Sequence, residues 1–236
     1  MQEAIKAMNE ASRIGLLDDL MSRLAEDPNV TGSVEGVEGH AVMELARSVL
    51  GIYEHKEVID RARLGDPREL RLLQVSLAYL ALSGNEQAYV ELIDLDKRYS
   101  TDLGKQLLLG MAPDIFSYQR EQGKETGIVF SRLMVVAESM GALPVAENIA
   151  QQYFENPPYN LDFGGIRTDE RRQYLGLCDQ HGLTHAIQAH IAKVQDQFRE
   201  RNPNLELLLG EVRETCTSET VKPLVQGMMD HYEGGA

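Results

Sequence analysis

The sequence predicts an all-α protein in which antiparallel helical hairpins are stacked as an irregular α-solenoid or helical bundle. Apolar residues recur every three or four positions through most of the chain, the period of a helix that buries one face. Glycine, proline and capping residues interrupt those stretches at short intervals, as tight helix-to-helix turns require. With 236 residues, 43% of them hydrophobic and 25% charged, the chain can bury a sizeable core. One domain is expected, with residues 1–65 as a softer N-terminal part and residues 66–236 as the hairpins.

Residues 2–26 carry Ile5, Met8, Leu16, Leu17, Leu20, Met21 and Leu24 on one helical stripe, and Asp27-Pro28 stops it. The following "DPNVTGSVEGVEGH" is a Gly- and Val-rich loop, with a small β-hairpin as the alternative. A second helical run covers about 40–64 and ends at Gly65. In "GDPRELRLLQVSLAYLALSG", Asp66 supplies an N-cap, Pro67 fits the first helical position and Glu69 can close a capping box. From Leu70 to Leu82 the apolar residues cover more than one face, so this helix must be sandwiched between neighbours. Gly84 can end it in the left-handed conformation, and Asn85 can cap the next helix.

The same pattern recurs twice. "LMVVAESMGALPVAENIAQQYF" has a break at Gly141 and a second helix opening at Pro144. "QYLGLCDQHGLTHAIQAHIAKVQDQF" has a break at Gly182, with Thr184 as the next cap. Gly141, Ala146, Ala150 and the later Pro157-Pro158 resemble the second half of a tetratricopeptide repeat. "SGNEQAYVEL" and "HGLTHAIQAH" are similar, with the alanine one residue earlier. The resemblance covers about half the chain in three pieces and lacks the Leu-Gly and Tyr positions of that repeat's first helix. It implies a stacked α-solenoid whose concave face binds peptides or proteins.

A formal charge of −14 disfavours nucleic acid and anionic membrane surfaces, and it favours basic or neutral partners. No apolar run approaches the roughly 18 residues of a membrane helix, and the N-terminus has neither a signal-peptide nor a transit-peptide pattern. The two cysteines, Cys178 and Cys216, are too few for a disulfide framework and are expected to be reduced. These features together predict a cytoplasmic protein with a protein or peptide partner.

Catalytic motifs are isolated. Asp162-Phe163-Gly164 spells the magnesium-binding triplet of protein kinases without the glycine loop, strand lysine or catalytic loop that would give it meaning. Asp18-Asp19 lacks the further aspartate of a diphosphate-binding helix. Asp94 and Asp96 begin like a calcium loop, but Tyr99 stands where the sharp turn needs glycine. Cys178, His181 and His185 are the densest group of metal-ligand side chains, with Asp179 as a fourth, yet Gly182 separates the histidines. His190 lies beside the apolar stripe Ile187, Ile191, Val194 and Phe198 and reads as a partly buried, satisfied histidine. His40 and Glu44 can pair at the head of a helix. Lys56, Arg61, Arg63, Arg68 and Arg71 are interleaved with Glu57, Asp60, Asp66 and Glu69, which makes a solvated face. Met228 and Met229 suit either a docking surface or a packed terminal helix. No metal or other cofactor is implied.

"FENPPYNLDFGGIRTDERRQ" is the densest cluster of structure-breakers. Asn156-Pro157-Pro158 ends one helix, Gly164-Gly165 permits a turn, and Thr168, Asp169 and Glu170 open the next. Architecture does not demand Tyr159 and Phe163 beside Asp162, Arg167, Arg171 and Arg172, which form the candidate partner-binding set. Two readings follow. The favoured one is a non-catalytic helical adaptor or scaffold; the other is a helical enzyme with a metal or general-base site near residues 156–190. Under the first, alanine at Tyr159, Phe163 and Arg167 together is expected to reduce partner capture from lysate while far-ultraviolet circular dichroism stays fully helical. Undiminished capture by that triple variant would remove the loop from the binding surface.

Overall fold

A computed structural model describes residues 39–64, 67–157, 168–197 and 203–227. Every regular element among these residues is an α-helix: α1 Gly39–Ile52, α2 His55–Leu64, α3 Pro67–Leu82, α4 Glu86–Tyr99, α5 Leu103–Glu121, α6 Gly127–Ser139, α7 Leu143–Glu155, α8 Thr168–His181, α9 Thr184–Gln197 and α10 Pro203–Thr215. Residues 222–227 are helical as well. The chain divides into two compact units, Met1–Phe116 and Ser117–Ala236.

In the first unit α3 packs against α1, α2 and α4. Its Leu72, Leu73, Val75, Leu77, Ala78, Leu80 and Leu82 are all buried, so the sandwiched helix expected from its apolar pattern is what forms. The run from 40 to 64 is two helices rather than one. The buried Tyr53 follows α1 and takes the Arg61 guanidinium over its ring at 4.4 Å, while Glu57 reaches back to accept the Glu54 N–H at 2.9 Å. That carboxylate satisfies a free donor at the start of α2, which is how a new helix opens within an otherwise continuous pattern. Arg63 on α2 is not simply solvated. It donates to Glu91 on α4, with Nε to Oε1 at 2.8 Å. Between α3 and α4, Gly84 adopts φ +97° and Asn85 Oδ1 accepts the Ala88 N–H at 3.0 Å, as the sequence predicts.

Two hairpins lie side by side in the second unit, turning at Gly141 and Gly182 with φ of +65° and +67°, values that an L side chain rarely adopts. First helix packs on first helix and second on second: α6 on α8, and α7 on α9, with α10 continuing beside α8. Hydrogen bonds that cross between them join residues 38 to 48 positions apart. Partners advance in the same direction along both members of each pair. Thr126 meets Glu170 and Glu138 meets His181; Arg171 meets Glu211 and Asp179 meets Thr217. The stacked helices therefore run parallel. Ala146 and Ala150 on α7 and Ala186 on α9 are fully buried and permit the close approach of that pair.

An aromatic column fills the interior. Tyr174 is stacked between Phe130 at 4.1 Å and Tyr153 at 4.0 Å, and Phe154 meets its edge at 6.2 Å. Beside it, Arg171 and Glu211 form a bidentate pair at 2.8 and 2.6 Å, both side chains almost wholly buried. Removing one member leaves an uncompensated buried charge, so Glu211→Ala is expected to destabilise the protein by about 3–5 kcal/mol. The double variant Arg171→Met, Glu211→Leu should recover most of that loss in urea unfolding, because it restores apolar packing without a stranded ion.

Candidate functional site

The residues singled out from the sequence are placed very differently from one another. Tyr159, Asp162, Phe163 and Arg167 lie outside the described residues. Arg171 is turned wholly into the interior, where Glu211 takes its Nε and Nη2 edge, so its guanidinium is not presented to a partner. Arg172, one position on, is half-exposed and stands 3.8 Å from the exposed Glu214. The helical period explains the difference, since adjacent residues point about 100° apart.

The metal-ligand candidates do not converge. Cys178 is fully buried, its thiol pushed far up by burial, with the neighbouring Cys216 adding to the effect. Cys216 is itself pushed up to about 12 by burial and the nearby Asp179. Thiols held neutral in this way are poor ligands and poor nucleophiles. Asp179 is occupied elsewhere, accepting from the Thr217 N–H at 3.1 Å and the Ser218 hydroxyl at 2.7 Å. His181 lies 3.8 Å from Glu138, whereas the exposed His185 meets Glu147 on α7 at 3.2 Å. No group of three His, Cys, Asp or Glu side chains among the described residues is arranged to hold a metal ion.

His190 is more deeply placed than its sequence position suggests. It is 1% exposed, its ring lies 4.7 Å from that of Phe154, and its Nε2 has no hydrogen-bond partner among the described residues. Burial, reinforced by the Arg171 charge, lowers its pKa to about 3, so the imidazole is neutral throughout the physiological range.

Carboxylates in both units serve helix ends. Asp96 on α4 accepts from the backbone N–H groups of Gly104 and Lys105 at 2.9 and 3.0 Å and from the Thr101 hydroxyl at 3.1 Å, closing the start of α5. Burial nevertheless outweighs those bonds and raises its pKa. Asp94 and Asp96 therefore sit on a helix and not in a calcium loop. Beside them is a cleft of about 320 Å³ whose two lysines are already matched, Lys105 to Asp102 at 2.7 Å and Lys97 to Asp94 at 3.2 Å. In the second unit Glu170 accepts from both the backbone and the hydroxyl of Thr126, and that hydroxyl also meets Tyr174 Oη at 2.9 Å.

With the ionisable interior committed to architecture, packing leaves several apolar side chains in water, Leu64 and Leu207 among them, and two of them share one face of α6. Ile128 is 65% exposed and Val135 is 63% exposed. They are seven residues apart, which places them on one stripe about 10 Å long. Between them lies Ser131, whose hydroxyl turns back to the Ile128 carbonyl at 2.7 Å. The opposite side of the same helix buries Val129, Phe130, Leu133, Met134, Val136 and Ala137. The polar residues of α6, Ser131, Arg132, Glu138 and Ser139, fall on the same arc as Ile128 and Val135, so the helical period marks this side as the outward one while leaving two aliphatic side chains on it.

No protein-family model, curated protein or solved structure matches this chain. Among the described residues no helix is long and apolar enough to cross a membrane.

The neutral state of His190 has a measurable consequence. Its folded pKa lies below the unfolded value of about 6.5, so on acidification the unfolded chain takes up the proton first. The stability this provides is present above pH 6.5 and is lost as pH falls toward about 3. Between pH 7 and pH 5 the wild type is expected to lose about 2 kcal/mol more than a His190→Leu variant in urea titrations, the contributions of other groups cancelling in the comparison.

Proposed function

We propose that the protein is a non-catalytic helical adaptor or scaffold that binds a protein or peptide partner through the exposed face of α6. The observation that carries this reading is the pair Ile128 and Val135, two aliphatic side chains held about two-thirds exposed on one stripe of a helix that α7 and α8 pack against. Apolar side chains left in water on a fixed element gain most when a second surface covers them. Their backbone is already ordered, so little conformational entropy remains to be lost on binding. Stacked helical hairpins of this kind present side chains on a stable frame, in keeping with a scaffold.

Tagged wild-type protein and the Ile128→Glu, Val135→Glu variant, each used to capture proteins from lysate, test the reading. The variant should unfold within about 0.5 kcal/mol of wild type, since both positions are surface sites. It should nevertheless lose at least nine-tenths of any stoichiometric partner, because each covered aliphatic side chain contributes about 1.5–3 kcal/mol. A partner retained in full by the variant would rule out this face.

A further inference from the structure

We infer that the partner element seated on α6 is an amphipathic helix carrying lysine or arginine at both ends of a short apolar stripe. The inference rests on the docking role proposed for α6 and adds the chemistry of the occupant. Glu125 lies three residues before Ile128, and Glu138 lies three residues after Val135, so an acidic residue follows each end of the apolar stripe. Both carboxylates are exposed. Glu125 has no ion-pair partner among the described residues, and Glu138 has only His181 at 3.8 Å. The cations close to the same face are not available in the same way: Arg132 is half-buried and Arg132 and Lys124 are both engaged within the protein. The whole chain carries −14, so the long-range field has the same sign as the local one and steers cations toward it.

The order along the stripe is acid, isoleucine, serine, valine, acid. Ser131 at its centre is small and its hydroxyl is turned back to the backbone, so the axis of a second helix can approach closely there. Glu125 lies just before the first turn of α6, and from Gly127 to Glu138 the helix rises about 17 Å at 1.5 Å per residue, a span that a helix of about 15 residues covers. An occupant that matches this pattern places two aliphatic residues one heptad apart over Ile128 and Val135, with a basic residue at each end opposite Glu125 and Glu138. A second copy of this chain would instead set acid against acid at both ends.

The test uses two fluorescently labelled 15-residue helical peptides with the same central Leu pair and either Lys or Glu at both ends, titrated with the full chain and followed by anisotropy. The Lys-ended peptide is expected to bind at least tenfold more tightly than the Glu-ended one. The Glu125→Lys, Glu138→Lys variant should reverse that preference, and Ile128→Glu, Val135→Glu should weaken the Lys-ended peptide at least tenfold. Equal binding of the two peptides, no binding of either, or an unchanged preference in the charge-reversed variant would overturn the inference. So would sedimentation that shows a homodimer abolished by Ile128→Glu, Val135→Glu. If lysate capture still depends on Ile128 and Val135 while neither peptide binds, the docking role stands and only the basic helical occupant fails.

Discussion

Helix starts in this protein are closed from a distance, and the stacking of the helices depends on it. The first N–H groups of any helix lack intrahelical acceptors and must find a partner when they are shielded from water. Asn85 meets that need locally at the start of α4. Glu57 does the same at the start of α2, but at four other places the acceptor comes from another helix: Asp96 of α4 for α5, Glu170 of α8 at the head of α6, Glu147 of α7 for the His185 N–H of α9, and Asp179 of α8 for the segment after α10. Each bond fixes the axial position of one helix relative to another as well as satisfying a donor. In the second unit two such carboxylates, Glu170 and Glu147, set the register in which hairpin lies on hairpin, and Asp179 sets that of the segment after α10.

That arrangement explains why acidic side chains are buried in a protein with so large a negative charge. A carboxylate aimed at a helix N-terminus meets aligned N–H dipoles, which partly replace the water it has lost. The replacement is incomplete at Asp96, where burial still raises the pKa, so the group is retained at some energetic cost for the position it enforces. Close glycines belong to the same design. A Cβ on Gly127 would collide with the Gln173 side chain, and one on Gly104 would stand 2.8 Å from Leu92 Cγ and 3.0 Å from Asp96 Oδ2. At Gly104 the bare backbone lets the capping helix come near enough for Asp96 to reach its donors, while at Gly127 the flexible end of Gln173 would have to move aside.

Much of the fold was legible because its signals are local. The helical period, the turns at Gly84, Gly141 and Gly182, and the Asn85 cap each depend on residues within a few positions of one another. The long-range caps were not legible. Thr184 reads as a cap, yet it is the first residue of α9 and the neighbouring N–H at His185 is received by Glu147, 38 positions earlier. Arg171 reads as a loop arginine available to a partner, but its true mate Glu211 is 40 positions later. Arg171 and Arg172 are indistinguishable in sequence until the direction of α8 against α10 is known. Ile128 and Val135 pose a different problem: Ser131, Arg132, Glu138 and Ser139 mark their side of α6 as outward, but two aliphatic side chains on that side read equally well as packed against a neighbour. Whether that side meets a neighbour is decided by how the other helices pack, and that is not carried by α6 itself.

The division between interior and surface has a functional meaning. Groups with chemical potential inside the second unit are either matched or held neutral: Arg171 by Glu211, Glu170 by Thr126, Cys178 by burial, and His190 by burial beside the Arg171 charge. Such groups hold a shape, and the Cys178 thiol and the His190 imidazole stay neutral near neutral pH. The same contacts that hold the hairpins in register also hold the stripe of Ile128, Ser131 and Val135 straight and fixed, since Glu170 secures the residue immediately before α6 and Phe130 is stacked on Tyr174 beneath it. A surface prepared in this way loses little freedom when it is covered. The buried carboxylates therefore contribute to recognition indirectly, by setting in advance the geometry of a face they never touch.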